Sequence, residues 1–291
     1  MKACIVTLIY NNYNSLIKTV NSVLEQDFDY QYIIYDDGSS VLDDSVISEL
    51  FDLIVNRKNV TYIRKEENQG TVKAFNFCLL KTSCELIIPL SSGDVFYDHT
   101  SVKEIAFAFN KGNVNLVTYD CLVYDEEPSK EIGSLLPKKK DRALLQLSSE
   151  CILAHILQYG NFISGARTSY RRSFIENLGY FDEDFRLLED LPFYLKSLSK
   201  GTKIYHLSKV IIYYKTGGVS TSGINPMLQK DYYKILSKLE SGTYGSSGNL
   251  ESSYRAWLMF HFGSKFQCFI VYPQKTIKLI YKKIIGKICL S

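Results

Sequence analysis

The sequence predicts an α/β protein on a mostly parallel sheet. Three observations carry this. Short apolar runs recur along the first 90 residues. Helical patterns of roughly 10–15 residues separate them, which is the signature of βαβ units. Hydrophobic residues make up 46% of the 291-residue chain and charged residues 22%, a balance that excludes wholesale disorder.

The elements follow in order. Ala3–Ile9 is a short apolar run ending at Tyr10-Asn11-Asn12 and reads as a buried strand. Asn14 or Ser15 can cap a helix carrying Leu16, Val20, Val23 and Leu24 at helical spacing. Gln31–Tyr35 is a second strand, cut off by Asp36-Asp37-Gly38-Ser39-Ser40. Asp43–Val55 is helical, Asn59–Arg64 a strand, Thr71–Leu80 a helix and Glu85–Leu90 a strand. Beyond, Val114–Tyr124 reads as a strand and the stretch from Asp125 to Asp141 as a polar, turn-rich segment. Its Lys138-Lys139-Lys140 run reads as a solvated loop. Arg142–Leu157 is helical, Asn161–Ser169 extended, and Arg171–Asn177 and Glu189–Lys200 are short helices. Lys203–His206 and Val210–Tyr214 are strands, so the sheet ends near residue 216. From Pro226 onwards the pattern is helical.

Composition narrows the class further. Seven cysteines, with no CxxC pair, give neither a zinc framework nor a disulfide scaffold and read as reduced, buried thiols of a cytoplasmic protein. No apolar run reaches the roughly 18 residues that a membrane-spanning helix needs, and no secretory n-region is visible. The net charge of +3 hides an asymmetry, because residues 226–291 hold ten basic and three acidic residues while residues 1–225 hold 24 and 28. A basic tail on a mildly acidic body suggests an anionic surface. No nucleic-acid motif or basic stripe is present, so lipid is the expected partner rather than nucleic acid.

In open parallel sheets, ligands bind outside the carboxyl ends of the strands. Here those ends carry Tyr10-Asn11, Asp36-Asp37-Gly38 and Ser91-Ser92-Gly93-Asp94. Carboxylates gathered beside a nucleotide phosphate need a hard cation between them, which points to a metal–diphosphate ligand. Each piece alone also fits an ordinary turn. Neither GxGxxG nor GxxxxGK[ST] occurs, and the four histidines have no zinc or triad spacing.

The order of the pieces is more specific. CIVTLIYNN, SVLEQDF, YIIYDDGSS, NQGTVKAFN and LIIPLSSGDVFY are followed by ISGARTSYRRSFIENLGYFDEDFRLLEDLPFYLKSLSKG. This arrangement, over residues 3–220, resembles the family 2 glycosyltransferases of the bacterial polysaccharide-assembly type. The resemblance implies the GT-A fold: a Rossmann-like mixed, mostly parallel sheet flanked by helices. A glycosyltransferase domain would span 1–220, with a nucleotide-sugar half (1–98) and an acceptor half (99–220). A basic helical C-terminal extension would follow over 221–291.

Site roles follow from the same resemblance. Tyr10 and the backbone around Leu8 match the base-contacting loop, and Asp37 the carboxylate that reads the uracil of a UDP-sugar. Gly70 and Lys73 fall in the segment walling the nucleotide, although Lys73 equally suits a solvated helix lysine. Ser92, Gly93 and Asp94 match the diphosphate segment, with Asp94 as ligand of a divalent ion, Mn²⁺ or Mg²⁺. Ser91 and Gly93 stand where the family often has aspartates, so a single carboxylate would remain. Lys215 and Ser220 match a basic residue and a loop closing over the diphosphate. Glu189-Asp190 matches the acceptor-side motif, with Asp190 as general base kept ionised by a helix N-terminus. The implied enzyme is an inverting, metal-dependent hexosyltransferase that extends a glycan or polyprenyl-diphosphate-linked acceptor. Homo-oligomerisation is compatible with this reading. A non-catalytic nucleotide-sugar-binding subunit and a sugar-phosphate nucleotidyltransferase are the alternatives.

The tail Lys275–Ser291 has five lysines and no acid. Ile277, Ile280, Tyr281, Ile284, Ile285 and Ile288 share one helical face, as in an interfacial helix on the inner face of the cell membrane. A helix packed on the domain is the other reading.

Overall fold

The computed structural model describes residues 1–13, 15–125, 134–216, 225–245 and 248–288. The first half runs β1 (Ala3–Ile9), α1 (Leu16–Leu24), β2 (Tyr30–Asp36), α2 (Asp44–Ile54), β3 (Val60–Arg64), α3 (Thr71–Leu80) and β4 (Leu86–Pro89). β1 pairs in parallel with β2 and β4, and β2 with β3. Helices cover both faces of this sheet, which is why β1 is almost wholly apolar, and its one polar residue, Thr7, is buried with its hydroxyl donating to the Leu90 carbonyl. Cys4 and Val6 pack into one core, while Ala3, Ile5 and Ile9 pack into the other.

The second half mixes directions. It contains β5 (Val95–Phe96), α4 (Ser101–Phe109), β6 (Leu116–Tyr124), β7 (Leu135–Leu136), α5 (Lys139–Leu144) and α6 (Ser149–Tyr159). A 3₁₀ turn (Gly165–Arg167), β8 (Thr168–Arg171), α7 (Arg172–Leu178), α8 (Asp190–Ser199) and β9 (Ile204–Lys215) complete it. Among the described residues the sheet has nine strands, ordered β3-β2-β1-β4-β8-β6-β9-β5, with β7 on β6. β8 runs antiparallel to both β4 and β6, and β6 pairs with β9 in parallel.

Several sequence expectations change in detail. The span 142–157 is not one helix: the Ser148 hydroxyl accepts the Cys151 N–H and starts α6 as a separate element. The two strands expected at 203–206 and 210–214 are one, β9, whose register against β6 shifts around Asp120. Asn161–Ser169 is only partly extended, because the 3₁₀ turn interrupts it. The lysine run, expected as loop, leads into α5. α4 was not foreseen. Its buried face is narrowed by two alanines, and Phe107 on its open face is 59% exposed, which blurs the period. Of the two caps considered for α1, Ser15 is the N-cap without a capping bond, and Asn14 lies outside the described residues.

The C-terminal region comprises α9 (Pro226–Glu240), α10 (Gly248–Phe262), α11 (Lys265–Val271) and α12 (Pro273–Ile288). Ile235 and Leu239 of α9, with Tyr254 and Trp257 of α10, belong to the same core as α3, α6 and α8. One polar contact fixes this docking. Asp231, 1% exposed, accepts the backbone N–H groups of Arg186, Leu187 and Leu188 at 3.0, 2.7 and 3.2 Å on a single oxygen. Buried donors left without an acceptor carry their full desolvation cost. Asp231→Ala should therefore lower unfolding stability in urea by about 3 kcal/mol. Asp231→Asn, which keeps one acceptor oxygen, should recover much of the loss; equal stability of Asp231→Ala and wild type would refute the role.

Candidate active site

The loops leaving β1 and β2 are stitched together by small polar groups. Asn11, at φ 51°, donates its N–H to Ser39 Oγ (2.8 Å), and its Oδ1 accepts the N–H groups of Ser40 and Val41. Asp36 is buried at the end of β2. It accepts the Tyr13 hydroxyl at 2.5 Å and the Ser39 N–H at 2.9 Å, with Arg64 Nε at 3.3 Å. Asp36 is thus committed to structure. Asp37 turns the other way, where Oδ1 accepts the Gln69 N–H (3.0 Å) and Oδ2 the Gly70 N–H (2.8 Å). Each of its oxygens keeps a second lone pair. Gly70 has φ 93°, and a Cβ there would lie 2.6 Å from the Arg186 carbonyl oxygen, so glycine is required. The Tyr10 ring is 51% exposed beside this pocket wall, and Leu8 packs against the core beneath.

The segment after β4 forms the second wall. Ser92 Oγ donates to the Asn12 carbonyl (3.0 Å), and the Gly93 N–H donates to Thr19 Oγ1 (2.9 Å), which pins the segment to the start of α1. Asp94 is 2% exposed; its Oδ1 accepts the Lys215 N–H at 2.9 Å, while Oδ2 is buried without a partner. Burial pushes its carboxyl up to about 7, against the pull of the Lys215 N–H and of the Ser91 hydroxyl and N–H. The Lys215 stem crosses Gly93, where an added Cβ would meet Lys215 Cδ at 2.8 Å. Its ammonium bonds Ser15 Oγ at the start of α1. The Lys215 backbone thus holds one oxygen of Asp94 while its ammonium lies at the start of α1, so a lysine and a helix N-terminus, both suited to an anion, adjoin this segment.

Glu189 and Asp190 sit where α8 begins, with Glu189 as N-cap. Asp190 Oδ1 accepts the Leu191 N–H (2.7 Å), and Oδ2 accepts the Gly165 N–H (3.2 Å) and Asn161 Nδ2 (3.3 Å). The close approach depends on Gly165, since a Cβ there would lie 3.1 Å from Asp190 Cβ and 3.2 Å from Glu189 Oε1. The helix start was expected to keep Asp190 strongly ionised. Instead burial raises both carboxyls, and in Glu189 the neighbouring Asp190 charge adds to the rise. Three donors favour the charged form of Asp190, and its charge beside Glu189 holds the Glu189 carboxyl up.

The structure thus brings Asp37 and Gly70 together on one wall, Ser92, Gly93, Asp94 and Lys215 on another, and Glu189 with Asp190 at a third point. Lys73 lies on α3 with an exposed side chain. Ser220, and the neighbouring Gly217, lie outside the described residues. Asp182 and Asp184, the other acids near Asp190 in sequence, both pair with Lys238 at 2.7 Å. His206 is tied to Asp120 at 2.9 Å, as a packed histidine. Sequence reading did not single out Asn161, Gly165 or Arg186, although all three fall in or beside the second quoted block. Arg186 donates to the Asn68 carbonyl (2.8 Å) and to Asn68 Oδ1 (2.7 Å) and so carries the donor wall towards the acceptor motif.

The residues present fit a divalent cation in one way. Asp94 offers a buried oxygen without a partner, and no group of three or more metal-ligating side chains exists among the described residues. A single carboxylate suffices for Mg²⁺ when phosphate oxygens and waters complete the shell. Among the described residues, no helix is long and apolar enough to cross a membrane.

Comparisons with known proteins agree with this architecture. Residues 4–187 match the family model described as glycosyl transferase family 2. The chain is 22% identical over 252 residues to the bifunctional glycosyltransferase pgtA of Dictyostelium discoideum, covering 77% of this chain and 32% of that protein. It is 26% identical over 227 residues to an uncharacterised glycosyltransferase of Rickettsia bellii, covering 77% and 30%. The chain therefore spans about a third of the length of these relatives. Among solved structures, S. aureus TarS 1–349 in complex with UDP-GlcNAc superposes with a TM-score of 0.62 at 18% identity, covering 94% of this chain and 76% of that one. The Pyrobaculum calidifontis mannosyltransferase PcManGT, in complex with GDP-Man and Mn²⁺, gives 0.61 at 12% identity, covering 97% and 75%. These likenesses establish the GT-A fold, and with more than half of the chain matched by the family model, the protein belongs to glycosyl transferase family 2.

Proposed function

We propose that the chain is an inverting glycosyltransferase that uses a nucleotide-sugar donor, a UDP-sugar by preference. The acceptor is a glycan or a polyprenyl-diphosphate-linked oligosaccharide of surface polysaccharide assembly, met at the inner face of the cell membrane. The observation that carries the reading is the pair of buried carboxylates with different surroundings. Asp94 has one unpartnered oxygen beside Lys215 and α1, and Asp190 is raised by burial but held by three donors. TarS was crystallised with UDP and with UDP-GlcNAc, which supports the choice of donor.

On this reading the residues take the following roles. The walls at Leu8, Tyr10, Asp37 and Gly70 receive the base, with the free lone pairs of Asp37 open to an imide N–H. Ser92, Gly93 and Lys215 line the diphosphate, and Ser220, outside the described residues, is assigned to it by the family resemblance alone. Asp94 would hold a divalent ion, Mn²⁺ or Mg²⁺, which supplies charge neutralisation of the leaving diphosphate. Lys215 adds a fixed positive charge to that task. Asp190 takes the proton of the acceptor hydroxyl as its oxygen attacks the anomeric carbon from the face opposite the diphosphate. The bond from that carbon to the phosphate oxygen breaks and the nucleotide diphosphate leaves. Glu189, protonated, can donate a hydrogen bond to the acceptor.

A panel of nucleotide sugars with Mn²⁺ or Mg²⁺ tests the reading through melting shift, donor hydrolysis and transfer to membrane-extracted acceptor. A shift with slow hydrolysis supports the enzyme. Shift without any turnover favours the non-catalytic binding subunit.

Two substitutions separate the carboxylates. Asp94→Asn removes a buried charge, so in chelator it should raise fold stability by about 1–3 kcal/mol, while transfer collapses and added Mn²⁺ restores little of it. Loss of stability together with activity would make Asp94 structural. Asp190→Asn should leave donor affinity within about twofold and cut transfer by roughly 10²-fold or more.

The pH profile gives the sign of the shift. A base with a raised pKa is protonated and idle at low pH, so kcat/KM should rise with pH through a limb above the ordinary carboxylate value of about 4. Glu189→Gln mimics the protonated neighbour and should leave that limb in place. A limb at the ordinary value would remove Asp190 from the role of base.

A further inference from the structure

The last two helices present an apolar face that the fold leaves uncovered. From α11, Phe266, Phe269, Ile270 and Val271 are 74%, 47%, 63% and 56% exposed. From α12, Ile277, Ile280, Tyr281 and Ile284 are 55%, 41%, 66% and 52% exposed. Isolated exposed apolar residues need no explanation, but a continuous set on two adjacent helices marks an interaction surface. Phe266, Phe269, Ile280 and Ile284 line a groove of about 440 Å³ between the helices, with Lys265 and Lys283 at its edge.

The orientation of this face is set by packing on α10. Cys268 donates from Sγ to the Ala256 carbonyl (3.3 Å) and contacts Thr276 Oγ1 (3.1 Å), while Leu279 is 5% exposed on the inner side. Lys275 bonds the Asn249 carbonyl and Ser252 Oγ. Among the described side chains, α12 therefore turns Lys275, Thr276, Leu279 and Lys282 towards the domain and keeps Ile277, Ile280, Tyr281 and Ile284 exposed.

Charge decides the occupant. Residues 265–288 contain six lysines and no aspartate or glutamate. A second copy of the chain seated on the same face would bring lysines against lysines with no acid from either segment to pair them. A bilayer of anionic lipid supplies both an apolar interior for the aromatic and aliphatic side chains and phosphates for the ammonium groups. We propose that the α11–α12 pair is an in-plane docking surface for an anionic membrane, seated by both helices rather than by the C-terminal tail alone.

The surface is linked to the acceptor side of the site. Lys282 Nζ lies 3.3 Å from His155 Nε2 and 4.7 Å from the centre of the Tyr159 ring, both on α6. The segment leaving α6 carries Asn161, which bonds Asp190. A membrane seated here lies on the α6 side of the molecule, where a lipid-linked acceptor would arrive. The identity of that acceptor rests on the reading above; the surface itself rests on the two helices.

The test is co-sedimentation of the full chain with vesicles of phosphatidylglycerol and phosphatidylcholine, against pure phosphatidylcholine, at low and high salt. Wild type should bind the anionic vesicles at least tenfold more strongly, and salt should weaken binding because it screens the lysines. Phe266→Glu with Ile280→Glu should cut binding at least tenfold, while circular dichroism, melting and donor hydrolysis in solution stay as in wild type. A misfolded double variant is replaced by Lys278→Glu with Lys283→Glu, which alters charge only at exposed positions and should reverse the preference for anionic vesicles. The inference is overturned if wild type binds neither vesicle, if binding ignores both lipid charge and the substitutions, or if light scattering shows a dimer that the substitutions dissociate. Loss of donor hydrolysis in wild type would count against the transferase reading instead and leave the vesicle result to be judged separately.

Discussion

The backbone of Arg186–Leu188 is the constraint on which the site depends. This short stretch leads into Glu189 and Asp190 and has no strand or helix of its own to satisfy its N–H groups. A single carboxylate oxygen on α9 takes all three. The Arg186 carbonyl in turn accepts the Val72 N–H and presses on Gly70, and the guanidinium grips Asn68. Gly70 and Gln69 then donate to Asp37. One polar thread thus runs from the C-terminal helices through the acceptor motif to the donor wall. Removing any bond in it would leave buried backbone groups without partners, which is why such networks resist partial loss.

The two candidate chemical groups are poised by opposite means. Asp94 is short of a partner in a buried place, so it is unstable as an isolated charge and complete only with something cationic beside it. Asp190 is amply supplied with donors, and burial alone raises it. A carboxylate raised in this way remains ionisable near neutrality and is a better proton acceptor than an exposed one. On the proposed reading, desolvation would serve cation binding in one case and proton transfer in the other.

Glycine does specific work at two places in this arrangement. At Gly70 and Gly93 the backbone has positive φ and a neighbour lies where Cβ would be. The neighbour at Gly93 is the Lys215 stem. The family's pattern often has an aspartate at this position; in this chain a lysine crosses it and reaches Ser15 on α1. With fewer carboxylates than the family often has, the electrostatic balance of the proposed diphosphate wall shifts towards the protein's own positive charge.

Local sequence determined the parallel half of the fold, because each strand there is a short, mostly apolar run with its own polar stop. Ala3–Ile9, Tyr30–Asp36 and Leu86–Pro89 are legible for that reason, as are the carboxylates that follow them. α4 and the break between α5 and α6 were not, since their signals, alanines on a buried face and one serine cap, are shared with many other contexts. Which acid of the Asp36-Asp37 pair bonds Tyr13 and Arg64 and which bonds the Gly70 backbone, and which of Asp182, Asp184 and Asp190 pairs with a lysine, are decided by partners distant in sequence: Tyr13, Arg64, Gly70 and Lys238. The outward turn of Ile277, Ile280 and Ile284 on α12 is of the same kind. The helical period put them on one face, and only the packing of Thr276 and Leu279 on α10 decided that this face looks away from the core.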